Sequence, residues 1–175
     1  MRKPMAAAGS ALFFLLAPGV VAGLVPWLLT RWQVREPLFD GAVSRVVGVL
    51  LVVIGCTVLV SAFVRFVVEG GGTPAPVAPT KRLVVGGLYR YVRNPMYVAV
   101  ITIIFGQALA LGQRHLVTYG IVVWLTFAFF VQVYEEPTLR RRYGDQYDDY
   151  RRAVRAWIPR LRPWSGDDTE GRTRR

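Results

Sequence analysis

The sequence predicts an all-α, polytopic membrane protein with about four transmembrane helices and a cytoplasmic, C-terminal amphipathic helical tail. Three observations carry that expectation. The 175 residues are 53% hydrophobic and only 19% charged, more apolar than one soluble core of this length uses. Four windows are apolar enough to cross a bilayer core of about 30 Å, which takes roughly 20 helical residues. The net charge of +11 gathers at the margins of those windows and in the tail. That placement suits an anionic lipid surface and argues against nucleic acid as a partner.

The first window runs from Ala6 to Leu29 and contains Pro18 and Pro26 as candidate kinks. It continues past Pro18-Gly19 to Trp27, which favours a span over a cleaved secretory signal. The second, Val46 to Val68, is flanked by Arg45 and Arg65, whose side chains can reach opposite interfaces. Its single cysteine, Cys56, reads as a small packing residue, so neither a disulfide framework nor a thiolate metal site is expected. Gly48, Gly55 and Ser61 would let helices approach closely. Oligomeric state is not legible.

"GGGTPAPVAPT", from Gly70 to Thr80, reads as an extended spacer. The third and fourth windows, Met96 to Leu111 and Leu116 to Tyr134, are joined by the tight turn "LGQRH" and are expected to pair antiparallel. The third is short, so its helix should begin inside the polar stretch before it. Beyond the fourth, Pro137 suits the first turn of a new helix, Gly144 a helix end and Asp145 the N-cap of the next helix. That last helix, Asp145 to Trp157, would carry Tyr147, Tyr150, Val154 and Trp157 along one face and could lie in the headgroup layer. The expected organisation is a two-span hairpin over 1–68, a linker over 69–85, a core of two spans plus tail helices over 86–164, and a disordered basic tail over 165–175.

Lys and Arg counts orient the chain. Arg2, Lys3, Arg65, Lys81, Arg82, Arg90, Arg93 and the tail arginines fall on one side, and only Arg31, Arg35, Arg45 and Arg114 on the other. Both termini are therefore expected in the cytoplasm. Two polar features share that side. "GLYRYVRNPMY", Gly87 to Tyr97, precedes the third span, and Glu135-Glu136 ends the fourth. At an interface a carboxylate pair needs cationic or hydrogen-bonding partners. Either it forms an ion cluster with Arg90, Arg93 or the tail arginines, or the two features face each other across a cleft. Such a cleft would take a ligand with a cationic centre, vicinal hydroxyls and a carboxylate of its own. Pro95 would break the local helical ladder and free backbone groups for that ligand. The lone histidine, His115, falls in the outer turn and reads as a loop residue.

"GGLYRYVRNPMY" at Gly86 to Tyr97, followed after a hairpin by "EEPTLRRRYGDQYDDYRRAVRAWIP" at Glu135 to Pro159, resembles the isoprenylcysteine carboxyl methyltransferase and phospholipid methyltransferase family of integral-membrane enzymes. Those proteins carry an Arg-His-Pro-x-Tyr core, a hydrophobic hairpin, a Glu-Glu pair, then Tyr-x-x-Tyr and Ile-Pro. The resemblance covers about the C-terminal half. It implies a cytoplasm-facing S-adenosyl-L-methionine pocket lined by Arg93, Asn94, Pro95 and Tyr97, with the backbone of Gly87, Leu88 and Tyr89 close by and Glu135 and Glu136 on the ribose or amine end. It also implies a lipophilic acceptor, a carboxylate, phenol or lipid amine, entering from the bilayer. Arg93 and Glu136 are the expected catalytic residues, Glu136 as the local base for an ammonium acceptor. No strand-turn-helix glycine fingerprint is present, so a soluble Rossmann-type methyltransferase is not expected.

The chain departs from the family at Asn94, where His is common. Asn cannot act as a general base near neutral pH. Membrane sterol reductases share an Arg-His-Pro-x-Tyr-like motif and bind a dinucleotide phosphate, but a Glu-Glu pair is not their mark. A non-enzymatic, arginine-anchored membrane protein is a further alternative. Twenty Arg against two Lys is the usage of a high-GC bacterial genome and suggests a bacterial inner membrane.

Overall fold

A computed structural model describes residues 17–39, 41–70 and 83–165. Among these there is no strand. α1 spans Ala17–Thr30, α2 Gly41–Gly70, α3 Pro95–Leu111, α4 Arg114–Phe130, α5 Glu136–Tyr143 and α6 Asp145–Ala153. A 3-10 turn at Gly87–Arg90 precedes α3. Two helical stretches, Gly41–Arg65 and Arg114–Tyr143, are long and apolar enough to cross a membrane, whereas α1 and α3 are apolar but shorter. On α2, Val46, Val49, Leu50, Val53 and Val60 are all more than half exposed. A helix apolar on its exposed face as well as its packed one belongs in lipid.

α2 and α3 form the tightest pair. A Cβ at Gly48 would collide with the backbone nitrogen of Ala110, and one at Gly106 would lie 2.8 Å from the Gly48 carbonyl oxygen. Gly55 likewise faces Ile103 and the Ala99 carbonyl. Gly48, Gly55 and the fully buried Ala62 recur every seven residues, the period that keeps a small-residue seam against a partner helix. The close approach suggested by Gly48 and Gly55 is therefore realised within the chain. Ser61 is exposed and takes no part. Replacing Gly48 with valine is expected to wedge the pair apart and cost about 1–3 kcal/mol, read as a lower thermal midpoint in detergent.

Cys56 corrects its sequence reading. It is exposed on α2, because the Gly48-Gly55-Ala62 seam claims the packed face and position 56 points away from it.

Gly112, at φ 67°, caps α3 in the left-handed conformation that favours glycine and lets α4 turn back at once. The 31–39 segment docks on this turn: Arg35 N–H donates to the Leu111 carbonyl at 2.8 Å, and the buried Gln113 donates Nε2 to the Gln33 carbonyl at 2.6 Å. Arg31, Arg35, Arg45 and Arg114 thus share one end of the bundle. Arg65, Arg90, Arg93 and the described arginines between Arg140 and Arg162 lie at the other.

At that second end, Pro137 lies in the first turn of α5, as expected, where a proline costs a helix no donor that it would have used, and α4 reaches α5 through a π turn at Val131–Glu135. Two expectations need correction. Asp145 is the first helical residue, and Gly144 (φ 54°) stands in the N-cap place. α6 stops at Ala153, with Val154 extended, because the following backbone is drawn onto the 90–93 segment. Tyr147, Tyr150 and Val154 share a face as expected, but that face is buried against Trp164 together with Leu83, Val85 and Leu139. Trp157 lies outside this cluster.

Residues 6–16 of the expected first span, nearly all of the Gly70 to Thr80 spacer, and 166–175 of the expected tail lie outside the described residues.

Candidate functional site

The polar stretch before α3 is held from three directions. Beneath it, the Glu69 carboxylate accepts from the Gly86 N–H at 3.1 Å and pairs with Arg65 at 3.0 Å. Gly87, at φ 56°, turns the chain where Arg65 Nε would stand only 2.8 Å from an added Cβ, so this position admits glycine for both conformation and space. From above, residues 155–164 run back over the motif. Arg93 N–H donates to Arg155 O at 2.9 Å, Arg160 N–H to Tyr91 O at 2.9 Å and Trp164 N–H to Arg90 O at 3.0 Å. Arg90 Nε returns a bond to Trp164 O at 2.6 Å. From the side, Tyr150 donates its hydroxyl to the Tyr89 carbonyl at 2.6 Å. The backbone of the motif is accordingly fixed before any ligand arrives.

Its side chains meet the carboxylate pair. Arg93 Nη1 lies 2.9 Å from Glu136 Oε1 and donates to the Tyr147 hydroxyl at 2.9 Å. Arg151 reaches the other oxygen of Glu136 at 3.0 Å. Tyr97 donates its hydroxyl to Glu135 Oε2 at 3.0 Å, and its ring stands 4.7 Å from that of Phe127 and 6.4 Å from that of Trp157. Burial above all raises the phenol pKa of Tyr89 and Tyr150 well above the usual range, and it raises Tyr147 as well, against the pull of the Arg93 guanidinium. All three are neutral hydrogen-bonding groups at physiological pH.

Between these groups lies an open-mouthed cavity of about 180 Å³, the concave, mostly apolar kind of site with a few convergent polar groups that small molecules use. Its polar wall is made by Tyr89, Arg93, Asn94, Tyr97 and Glu135. Pro95, Met96, Val100 and Phe127 continue it one helical turn deeper, and Ala17, Pro18 and Val21 of α1 close the far side. Two donors buried at this wall, Arg93 Nε and Asn94 Nδ2, have no hydrogen-bond partner among the described residues. An unmatched buried donor costs about 1–3 kcal/mol, a cost that a site recovers when a ligand accepts from it.

Of the residues expected at a site, Tyr89, Arg93, Asn94, Pro95, Tyr97 and Glu135 line this cavity, whereas Gly87, Leu88 and Glu136 do not. Leu88 instead lines a second, almost wholly apolar groove with Ile54, Tyr91, Val98 and Pro159. Phe127, Val100 and the α1 residues were not singled out from sequence. They are ordinary apolar residues in apolar spans, and only the fold brings them to the polar wall.

The phospholipid methyltransferase family matches residues 43–146, which takes in α2, the polar stretch, the hairpin and Glu135-Glu136. The chain belongs to this family. The Tyr147-x-x-Tyr150 and Ile158-Pro159 features lie just beyond the matched residues. Protein-S-isoprenylcysteine O-methyltransferase of Schizosaccharomyces pombe is 32% identical over 98 residues, which cover 53% of this chain and 41% of the relative. The match thus spans less than half of the relative's length. No solved structure matches.

Proposed function

We propose that this family member is an integral-membrane, S-adenosylmethionine-dependent methyltransferase whose acceptor is lipophilic. The observation that carries the reading is a wall presenting two partnerless buried donors, Arg93 Nε and Asn94 Nδ2, in the same cavity as the carboxylate of Glu135. Donors for a carboxylate and an acceptor for hydroxyls or an amine are what that cofactor's own groups require, so the residues present fit it. Arg93 and Asn94 would bind the carboxylate end, Glu135 the amine or ribose, and the ring of Tyr97 would flank apolar or aromatic parts. Bound, the cofactor supplies an electrophilic methyl group on a sulfonium.

Glu136 holds Arg93 through one oxygen and Arg151 through the other. With both oxygens so occupied, its role here is that of a positioning residue that aims Arg93, not a base. The chain's contribution to rate is alignment and exclusion of water, with Tyr97 and Trp157 shielding the polar end from the cytoplasm. A carboxylate or phenolate acceptor needs no base. For an ammonium acceptor, Glu135 is the carboxylate in the cavity.

We infer four spans, with α1 and α3 crossing as well. α3 would rise about 26 Å over its length, and the arginine asymmetry between the two ends of the bundle supports a cytoplasmic site and cytoplasmic termini. The bacterial inner membrane remains the proposed location.

The test is transfer of a labelled methyl group from S-adenosylmethionine to lipid extract by protein in nanodiscs. Label in the organic phase is expected. Equal methylation of water-soluble acceptors in detergent and in lipid would overturn the lipophilic-acceptor reading, and NADPH oxidation without methyl transfer would turn the assignment to a reductase.

A further inference from the structure

Two π turns border the cavity, and each leads into a proline. Val131–Glu135 precedes Pro137 and delivers Glu135 to the polar wall. Val20–Leu24 precedes Pro26 and delivers Val21 to the far wall. In the second turn, the Val25 N–H reaches back five residues to the Val20 carbonyl. The next donor in either register would come from position 26, but proline has no N–H. The carbonyls of Ala22, four residues back, and Val21, five back, therefore receive nothing from Pro26.

Both are served from outside the helix. Gln107 of α3 donates Nε2 to the Ala22 carbonyl at 2.7 Å, and Tyr119 of α4 donates its hydroxyl to the Val21 carbonyl at 2.8 Å. These are polar side chains in the middle of apolar helices, where each would be costly without such a bond. Their joint effect is to fix the height and rotation of the α1 turn against the α3–α4 hairpin, with Ala22 buried in the same cluster as Val100 and Ile104.

Resting on the methyltransferase reading above, we infer that this turn is the acceptor-selecting wall of the site. Val21 sets the width of the apolar end, opposite Val100 and Phe127, and Gln107 and Tyr119 are positioning residues that hold it there. The acceptor class follows from the lining. Past the polar wall the cavity is bounded, among the described residues, by aliphatic, thioether and aromatic side chains, so the acceptor carries an apolar chain directly behind its methylated group. A bulky polar headgroup at that depth would have nothing to bond.

The experiment uses the full-length protein in nanodiscs, with straight-chain fatty acids and N-acetyl-S-alkylcysteines of graded chain length as acceptors. S-adenosylhomocysteine affinity is measured on the same samples by calorimetry. Val21→Trp is expected to shift the long-to-short preference by at least about tenfold, the scale at which pockets discriminate even small changes in apolar size, read beside the S-adenosylhomocysteine affinity of the same variant. Tyr119→Phe and Gln107→Leu, which free the turn without entering the cavity, are expected to flatten the chain-length profile and raise the acceptor KM more than they lower kcat. An unchanged profile in Val21→Trp overturns the inference, as does a wild type that binds S-adenosylhomocysteine yet methylates no member of the series. A wild type that fails to bind S-adenosylhomocysteine removes the underlying methyltransferase reading instead.

Discussion

Replacing Arg93 with alanine is expected to abolish methyl transfer and to loosen the whole end of the molecule that carries the site. The Arg93 and Glu136 side chains are only 10% and 13% exposed, and removing one partner of a buried pair costs about 3–5 kcal/mol because the other charge is stranded. Against a total stability of about 5–15 kcal/mol, that is enough to release α5 and α6 from the motif. Arg93→Lys should fail nearly as badly, since one ammonium cannot reproduce a planar fork that serves Glu136, Tyr147 and the cavity together. The double variant Arg93→Met, Glu136→Leu separates structure from function. With neither charge left buried, the thermal midpoint should recover towards wild type, while S-adenosylhomocysteine binding stays lost. Recovery of both would reduce Arg93 to a structural ion.

Glu135→Ala is expected to have the second largest effect, and it should fall on binding. A hydrogen bond to a charged group contributes about 1.5–3 kcal/mol, so affinity for S-adenosylhomocysteine should drop by roughly 10- to 100-fold. Tyr97→Phe removes only the hydroxyl that bonds Glu135 at 3.0 Å. Its loss should therefore be smaller, about 1 kcal/mol, with the ring still packed on Phe127. Calorimetric titration of the three proteins orders them wild type, Tyr97→Phe, Glu135→Ala. The reverse order, or equal affinities, would take Glu135 out of the binding wall.

Much of the helical layout is legible in the sequence because lipid imposes a coarse code of length and polarity. The Met96 to Leu111 and Leu116 to Tyr134 windows fall on α3 and α4, and Gly112 marks the turn between them. The close approach at Gly48 and Gly55 is equally visible, since only small residues permit it. What sequence does not reveal depends on returns of the chain. α6 ends a turn early because Arg155 O is taken by the Arg93 N–H, a bond between residues far apart in sequence. Glu135 and Glu136 read as an equivalent pair, yet a π turn sends the first into the cavity and the second towards Arg151. The prolines of α1 are visible, but a one-dimensional reading finds only a kink. That Gln107 and Tyr119 complete the bonds Pro26 leaves open requires the packed hairpin.

The most direct test of the account is S-adenosylhomocysteine titration of Asn94→Ala beside wild type, with thermal unfolding of both. Asn94 Nδ2 is buried and bonds nothing among the described residues, so its removal takes no internal hydrogen bond from the fold. If the side chain is there for the cofactor, the variant unfolds at the same temperature as wild type or higher, and binds S-adenosylhomocysteine at least about tenfold more weakly, the equivalent of about 1.4 kcal/mol. Unchanged affinity in a well-folded variant, or no saturable binding by wild type, would contradict the central claim that this wall is a cofactor site.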